Sequence, residues 1–268
     1  MSYAQSLITI SRCPTCLDTR RPPWTAITSN SRSMIPEPRR LDDDQIIPVG
    51  AALALLPIGA TLGYYALPAS LQTELLTQFA PQLLAYLAMG LWASRTSHVS
   101  THLGLERAKV ITGLKWGLLT GLTLGCLNTF VILSIYPSFG YDITFLKQTP
   151  HGRLPVLLMV PWFICAIALF VEVNFRGFLL GRLAEYERQW RGAYSGEQLA
   201  PLALLATTLT FTFDPFMVNT FRYLHWIALW DGLIWGILRL KTRNLWITII
   251  AHAVEVIVLY SAVRAALG

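Results

Sequence analysis

The sequence predicts an all-α fold, a polytopic membrane helix bundle with about seven transmembrane helices. Three observations support this prediction. Hydrophobic residues make up 54% of the 268 residues and charged residues only 13%, whereas a soluble domain carries about 25% charge. Seven stretches reach or approach the roughly 20 apolar residues that cross a bilayer as a helix. Basic residues are more frequent in alternate loops between these stretches, which is typical of membrane proteins.

This composition excludes several classes of protein. The mean hydropathy is +0.48, and so little charge cannot coat the surface of an ordinary cytosolic enzyme. A disordered chain and a nucleic-acid-binding domain are excluded for the same reason. The net charge of +6 is therefore attributed to basic loops that border membrane spans.

The apolar stretches define a predicted transmembrane domain over residues 46–268. The second stretch is short, whereas the third and fourth are long enough to tilt or to protrude from the membrane. An eighth helix, or a re-entrant piece in the loop 137–153, stays an alternative. The seven stretches are residues 46–67, 79–94, 110–136, 154–183, 199–218, 223–240 and 244–266.

The distribution of Lys and Arg predicts the orientation of these spans. If the amino terminus is cytoplasmic, the inner loops hold ten basic residues and the outer side holds four. An excess of basic residues in the cytoplasmic loops is the usual bias of membrane proteins. We therefore expect seven spans with the amino end inside and the carboxyl end outside.

Residues 1–45 differ from the rest of the chain, because they hold six Arg and five acidic residues. They show no sustained apolar period and lack the hydrophobic segment of a secretory signal. We expect a disordered cytoplasmic tail, or an over-long start with Met34 as the true first residue. The lone pair Cys13 and Cys16 lacks the further ligands that a zinc site needs, so we predict no specific role for it.

Ionisable residues within the apolar stretches are candidate functional residues, because a charge at mid-membrane costs about 2.5–3.5 kcal/mol on insertion scales. The rise of an α-helix places Glu172, Asp231 and His252 about 12–15 Å from the same side of the membrane. We therefore expect three helices to present polar groups at one depth. The full set is Glu172, Arg176, Asp214, Asp231, His252 and Glu255, with His225 at the edge of the sixth stretch.

Two spacings indicate which of these side chains share a helix face. Glu172 and Arg176 are four residues apart, and His252 and Glu255 are three apart, so each pair lies on one face. A carboxylate and an imidazole from different helices can activate water directly or through a metal ion. The same residue types also serve proton relays and structural pairs, so the pattern alone leaves those alternatives open.

Two motifs favour the hydrolytic interpretation. Residues 170–183 read FVEVNFRGFLLGRL. They resemble the first motif of the CPBP family of CAAX-protease and bacteriocin-processing intramembrane endopeptidases, Glu-Glu-x-x-x-Arg, often continued as Phe-Arg-Gly. Residues 238–253 resemble the last motif region of that family, in which a basic turn with Leu-Trp leads into Ala-His-Ala. The resemblance extends over about residues 100–260, and it includes the Leu-Gly-Leu at 103–105.

The resemblance implies an intramembrane endopeptidase that uses an activated water to hydrolyse a peptide bond near the cytoplasmic side of the membrane. In the family, the first Glu of the first motif is the water-activating base, but this chain has Val171 there. Either Glu172 or Glu255 is then expected to be the base and to act with His252. Arg176 is expected to orient the carboxylate.

The remaining motif positions also differ from the family pattern. Asp214 stands near the expected His of the middle motif, and Val256 stands where the last motif has Asn. The resemblance implies that Asp214 or His225 completes the catalytic site. A non-catalytic relative with an immunity or scaffold role is the main alternative, and a small transporter is a weaker one.

The resemblance leaves the cofactor open, as a divalent metal such as zinc or none. The expected partners are membrane lipid and a peptide or membrane-protein substrate, without nucleic acid. The expected location is a bacterial plasma membrane. The sequence leaves the substrate and the oligomeric state undetermined.

Overall fold

A computed structural model describes residues 43–192 and 199–267 of the chain. Residues 1–42 of the predicted tail, with the alternative start at Met34 and the Cys13–Cys16 pair, lie outside the described residues, and the last three residues of the predicted tail belong to a helix. Helices and short connections make up these ranges, and no strand occurs within them. The prediction of an all-α fold is therefore confirmed.

Seven longer helices follow one another along the described chain. The fourth contains two π-helical segments, Met159–Ala166 and Val173–Leu179. Two short helices, Val99–Leu103 and Pro215–Phe221, precede α3 and α6. The longer helices are α1 Asp43–Tyr65, α2 Leu75–Ala93, α3 Val110–Phe130, α4 Val156–Trp190, α5 Pro201–Thr212, α6 Ile227–Thr242 and α7 Leu245–Leu267.

The helices long and apolar enough to cross a membrane are fewer than predicted. Within the described ranges, the helical stretches Val99–Ser138, Val156–Trp190 and Leu245–Leu267 meet that requirement alone, and one bent pair makes a fourth candidate. The apolar part of α1, Val49–Tyr65, is too short, and α2 carries two Gln and a Pro in its first half. The predicted number of seven spans is not confirmed.

The bent pair explains why two predicted spans become one candidate. Pro201–Thr212 and Pro215–Thr242 meet at an angle of 47°. Pro215 cannot donate a backbone hydrogen bond into the preceding helix. The Asp214 carboxylate accepts hydrogen bonds from the backbone N–H groups of Phe216 and Met217, which caps the new helix. The two stretches predicted as separate spans therefore form a broken span or a re-entrant segment.

Large apolar side chains cover much of the outer surface. Leu157 is 86% exposed and Ile111 is 76% exposed, with many other exposed Leu residues on the helices. Soluble monomers rarely expose apolar patches of more than a few hundred Å². Together with the candidate spans, this surface indicates an integral membrane protein.

A ridge of glycines joins α3 to α7. Gly113, Gly117, Gly121 and Gly125 are all buried. A Cβ added at Gly121 would lie 2.6 Å from the Ala251 carbonyl oxygen, and one at Gly125 would lie 3.2 Å from the Glu255 Cα. Small residues allow two helices in a membrane to approach closely, and here the partner helix belongs to the same chain. The ridge fixes the position of the part of α7 that bears His252 and Glu255.

Candidate functional site

Glu172 forms the centre of a buried polar cluster. Its Oε1 atom lies 3.1 Å from Nη1 of Arg176 and 3.0 Å from Nδ1 of His252. Glu172 is 0% exposed and Arg176 is 1% exposed. The π-helical segment of α4 begins directly after Glu172 and contains Arg176. The contact between Glu172 and Arg176 lies within α4, and the contact between Glu172 and His252 joins α4 to α7.

Aromatic rings surround the Arg176 guanidinium. Its central carbon lies 4.0 Å from the ring centre of Phe211 and 5.1 Å from that of Trp235. A cation over an aromatic face is stabilised by the quadrupole of the ring. The side chain is therefore held by one carboxylate and two rings, which fixes the charge that faces Glu172.

His252 is the part of this cluster that reaches open space. Its ring stacks on Trp235 with the ring centres 4.8 Å apart, and its side chain is 14% exposed. Because Nδ1 contacts Glu172, Nε2 is the ring nitrogen without a hydrogen-bond partner among the described residues. A neutral imidazole that donates from Nδ1 carries its lone pair on Nε2.

A cavity of about 530 Å³ lies beside His252. Its wall is mostly apolar and comes mainly from helices α2, α4, α6 and α7 and from the segment between α5 and α6, with further residues from α5 and from the region between α3 and α4. The polar residues in the wall include His252, Glu255, Asp231 and Asp214, whereas Glu172 is not part of the wall. His252 therefore connects the buried Glu172 to the cavity.

A second polar cluster joins α3, α6 and α7. The Asn128 Nδ2 atom lies 2.6 Å from Oε1 of Glu255, and 3.2 and 3.1 Å from the two carboxylate oxygens of Asp231. Trp230 Nε1 donates a hydrogen bond of 2.9 Å to Oδ1 of Asn128. An indole N–H can only donate, so it fixes which side of the amide faces the carboxyl groups.

Comparison with known proteins supports the family assigned from the motifs. A family model described as type II CAAX prenyl endopeptidase, Rce1-like, matches residues 153–258. The matched segment is of the CPBP type. It contains Glu172, Arg176, Asp231, His252 and Glu255, whereas Asn128 lies before it. No curated protein and no solved structure matches the chain.

The positions at which this CPBP-type segment departs from the family motifs lie on the cavity. Val171 occupies the position of the family's first Glu, and Val256 occupies that of the final Asn; both line the cavity wall. The neighbouring Glu172 lies outside the wall and pairs with Arg176 instead. Of the two carboxylates considered as replacements for the missing base, Glu255 is the one that lines the cavity.

Asp214 and His225 lie apart from the Glu172–His252 pair. The Oδ1 atom of Asp214 accepts a hydrogen bond of 3.0 Å from Gln82 as well as its two capping hydrogen bonds. The ring of His225 packs against those of Phe213 and Trp226. Neither residue contacts Glu172 or His252 within the described ranges. The hydrogen bonds of Asp214 therefore hold the start of a helix and Gln82 in place, although Asp214 also lines the cavity.

The residues around His252 do not form a ready metal site. Within the part of the chain that the structure describes, no three His, Cys, Asp or Glu side chains are placed to hold one ion. Zinc sites use at least three protein ligands. Here Nδ1 of His252 already contacts Glu172, and Nδ2 of Asn128 lies within hydrogen-bonding distance of both Asp231 and Glu255. The described residues around His252 therefore do not fit a metal ion.

Asn128 is the site residue that the sequence analysis missed, because only ionisable residues were considered inside the spans. A signal was present, since Asn128 follows Gly125 by three residues and so continues the face of the glycine ridge. A polar amide on the face that packs against α7 predicts a partner on that helix. The partner is Glu255.

Proposed function

We propose that this protein is an intramembrane endopeptidase-like hydrolase whose site lies on the cavity wall at His252. The observation that carries the proposal is the 3.0 Å contact between Glu172 Oε1 and His252 Nδ1, at the edge of a largely apolar cavity. The match of residues 153–258 to an endopeptidase family supports the same reaction class.

Glu172 and Arg176 act as positioning residues in this proposal. A carboxylate that accepts a hydrogen bond from Nδ1–H fixes the tautomer and the orientation of an imidazole. Arg176 holds the carboxylate in turn. His252 then presents Nε2 to a water molecule or, once protonated, donates a hydrogen bond to the oxygen of a peptide carbonyl.

Glu255 activates the water in this proposal. It lies three residues after His252 on the same face of α7 and lines the same cavity, whereas Glu172 is fully buried. A general base must come within hydrogen-bonding reach of the proton that it removes, directly or through one water. Glu255 therefore takes the role that Val171 cannot perform.

The substrate class follows from the surroundings of the site. The cavity is mostly apolar and lies among helices with a lipid-compatible surface, so an extended apolar peptide segment within the membrane is the substrate that fits. The distribution of basic residues favours cleavage near the cytoplasmic side. A prenylated CAAX peptide is the probe that the family match suggests.

The test uses the full chain in native-like membranes. Membranes that contain the wild type, Glu255→Gln or His252→Ala are incubated with a prenylated CAAX peptide, and mass spectrometry measures cleavage products of that peptide and new termini of membrane proteins. Glu74→Gln is the matched control, because Glu74 is exposed and its side chain makes no capping hydrogen bond. We expect products with the wild type and the control only. Equal products from all four proteins would contradict the proposal.

A catalytically inactive relative is the second candidate function. Two wall positions that are polar in the family motifs, Val171 and Val256, are apolar here. In that case, the buried cluster of Glu172, Arg176 and His252 serves stability alone. Absence of any wild-type product from the peptide and from membrane proteins would favour this function.

A further inference from the structure

Asp231 and Glu255 share one hydrogen-bond donor, because Nδ2 of Asn128 lies 2.6 Å from Oε1 of Glu255 and 3.1 Å from Oδ2 of Asp231. Two ionised carboxylates at one donor repel each other, and one proton held by the two groups removes that repulsion. Both residues are about 95% buried, at 4% and 5% exposure. In a dry environment, two adjacent carboxyl groups hold one proton because both cannot be ionised together.

Unpartnered polar atoms at the cavity wall indicate that this pair faces a polar ligand. Oε2 of Glu255 is buried and has no hydrogen-bond partner among the described residues. The indole N–H of Trp235, a residue that is 2% exposed and also lines the cavity, has no partner either. Buried polar groups are normally satisfied. An unpaired acceptor and an unpaired donor in one wall are suited to a water molecule or a peptide group.

We infer that Asp231 and Glu255 form a catalytic carboxyl pair that shares one proton, and that Asn128 is the positioning residue that holds the pair. This inference rests on the proposed hydrolysis and adds two residues to it. Asn128 is 0% exposed, and its Nδ2 group donates to both carboxyl groups. Trp230 prevents the amide from turning over.

The shared proton allows the pair to act as base and acid together. The ionised carboxylate removes a proton from water as the water oxygen forms a bond to the peptide carbonyl carbon. The protonated partner gives its proton to the carbonyl oxygen, which yields a tetrahedral diol. The carboxyl group that now holds the proton gives it to the amide nitrogen, the C–N bond breaks, and the ionised carboxylate takes a proton from one diol hydroxyl, so that a carboxylic acid and an amine leave. The pair ends with one proton, as it began.

The groups that surround the pair are compatible with a single negative charge on it. Arg176 interacts electrostatically with both Asp231 and Glu255, and the negative charge of Glu172 also acts on both. Arg176 is therefore shared between two acidic groups, the Glu172 carboxylate and the pair. Among the described residues, a second ionised carboxylate in the pair would have no further cation beside it.

Infrared spectroscopy tests the shared proton without any substrate. The reconstituted full chain is compared in H₂O and D₂O at neutral pH, since a protonated carboxyl group has a C=O band distinct from that of a carboxylate. We expect one such band in the wild type and its loss in both Asp231→Asn and Glu255→Gln. Asn128→Leu should keep the band but shift it, because the amide hydrogen bonds are lost. If neither carboxyl substitution removes the band, the inference is wrong.

Cleavage of the prenylated CAAX peptide tests the catalytic role in the same variants. We expect Asp231→Asn and Glu255→Gln each to lower the rate about 100-fold or more, the range typical of lost acid–base catalysis. Glu74→Gln should cleave at the wild-type rate, and thermal unfolding identifies any variant that fails to fold.

The two measurements separate the failure of the pair from the failure of the proposed function. Normal cleavage by folded Asp231→Asn would overturn the catalytic role of the pair even if the band is lost. If the wild type cleaves nothing, the proposed function fails together with that role, and loss of the band would still show that the carboxyl groups share a proton.

Discussion

Glu172 Oε1 lies 3.0 Å from His252 Nδ1 and joins α4, directly before its second π-helical segment, to α7. The same oxygen forms the ion pair with Arg176. A carboxylate that is 0% exposed needs such partners, because burial without them is very costly. This contact therefore has two consequences, one for the stability of the bundle and one for the orientation of His252.

The Glu172–Arg176 pair is expected to stabilise the protein when both partners are present. Glu172→Gln leaves the Arg176 charge buried without an anion beside it, and we expect a loss of about 3–5 kcal/mol in the free energy of unfolding. The double variant Glu172→Gln/Arg176→Met removes both charges and should recover a large part of that loss. Equilibrium unfolding in detergent measures both values. A double variant no more stable than Glu172→Gln would contradict this interpretation.

The sequence was sufficient to predict the helical class, the family match of residues 153–258 and the contact between α4 and α7. The ionisable residues in apolar stretches could be identified without a structure, because their burial demands partners. The predicted depths of Glu172, Asp231 and His252 in the membrane were similar, which indicated that their side chains lie close together. The i,i+4 spacing of Glu172 and Arg176 predicted their pairing, and the two residues form an ion pair.

The sequence could not predict how the span around Asp214 is broken. Hydropathy treats residues 199–218 and 223–240 as two apolar stretches, but the capping of Pro215–Phe221 by Asp214 makes a bend. The sequence also could not show which of two adjacent residues, Val171 or Glu172, faces the cavity. Val171 lines the wall and Glu172 does not, and this difference depends on the rotation of α4 about its axis.

Asp214 is expected to affect stability more than hydrolysis. Asp214→Ala removes two capping hydrogen bonds and the acceptor of Gln82, and loss of a cap typically costs about 0.5–2 kcal/mol. Asp214→Asn should be milder, because Asn also caps helices well. Unfolding experiments give the stability, and cleavage per folded molecule gives the activity. If Asp214→Asn folded normally but lost cleavage, Asp214 would be part of the catalytic site.

The contact between α3 and α7 is expected to tolerate no added side chain at Gly121. A Cβ there would lie 2.6 Å from the Ala251 carbonyl oxygen, so the two helices must separate. Overpacking of this kind costs about 1–3 kcal/mol. We expect Gly121→Ala to lower the unfolding temperature and also to reduce cleavage, because α7 carries His252 and Glu255.

Gly63→Ala in α1 is the matched control for this prediction. A Cβ at Gly63 meets no atom within 4 Å, and Ala is favoured over Gly within a helix by about 0.5–1 kcal/mol. The control should therefore be neutral or slightly stabilising. If both Gly→Ala substitutions had the same effect, the close packing of α3 on α7 would not be the cause.

Restoring a carboxylate at position 171 separates an altered enzyme from an inactive relative. Val171 lines the cavity and occupies the position of the family's water-activating Glu, so Val171→Glu would add an acid to the cavity wall that also contains His252 and Glu255. If the wild type is inactive because this base is missing, the substitution should create cleavage of the prenylated CAAX peptide. If Glu255 already activates water, the added charge should leave cleavage unchanged or lower it, because a third carboxylate disturbs the shared proton. Val171→Gln is the control for side-chain size, and mass spectrometry of the peptide products distinguishes the outcomes.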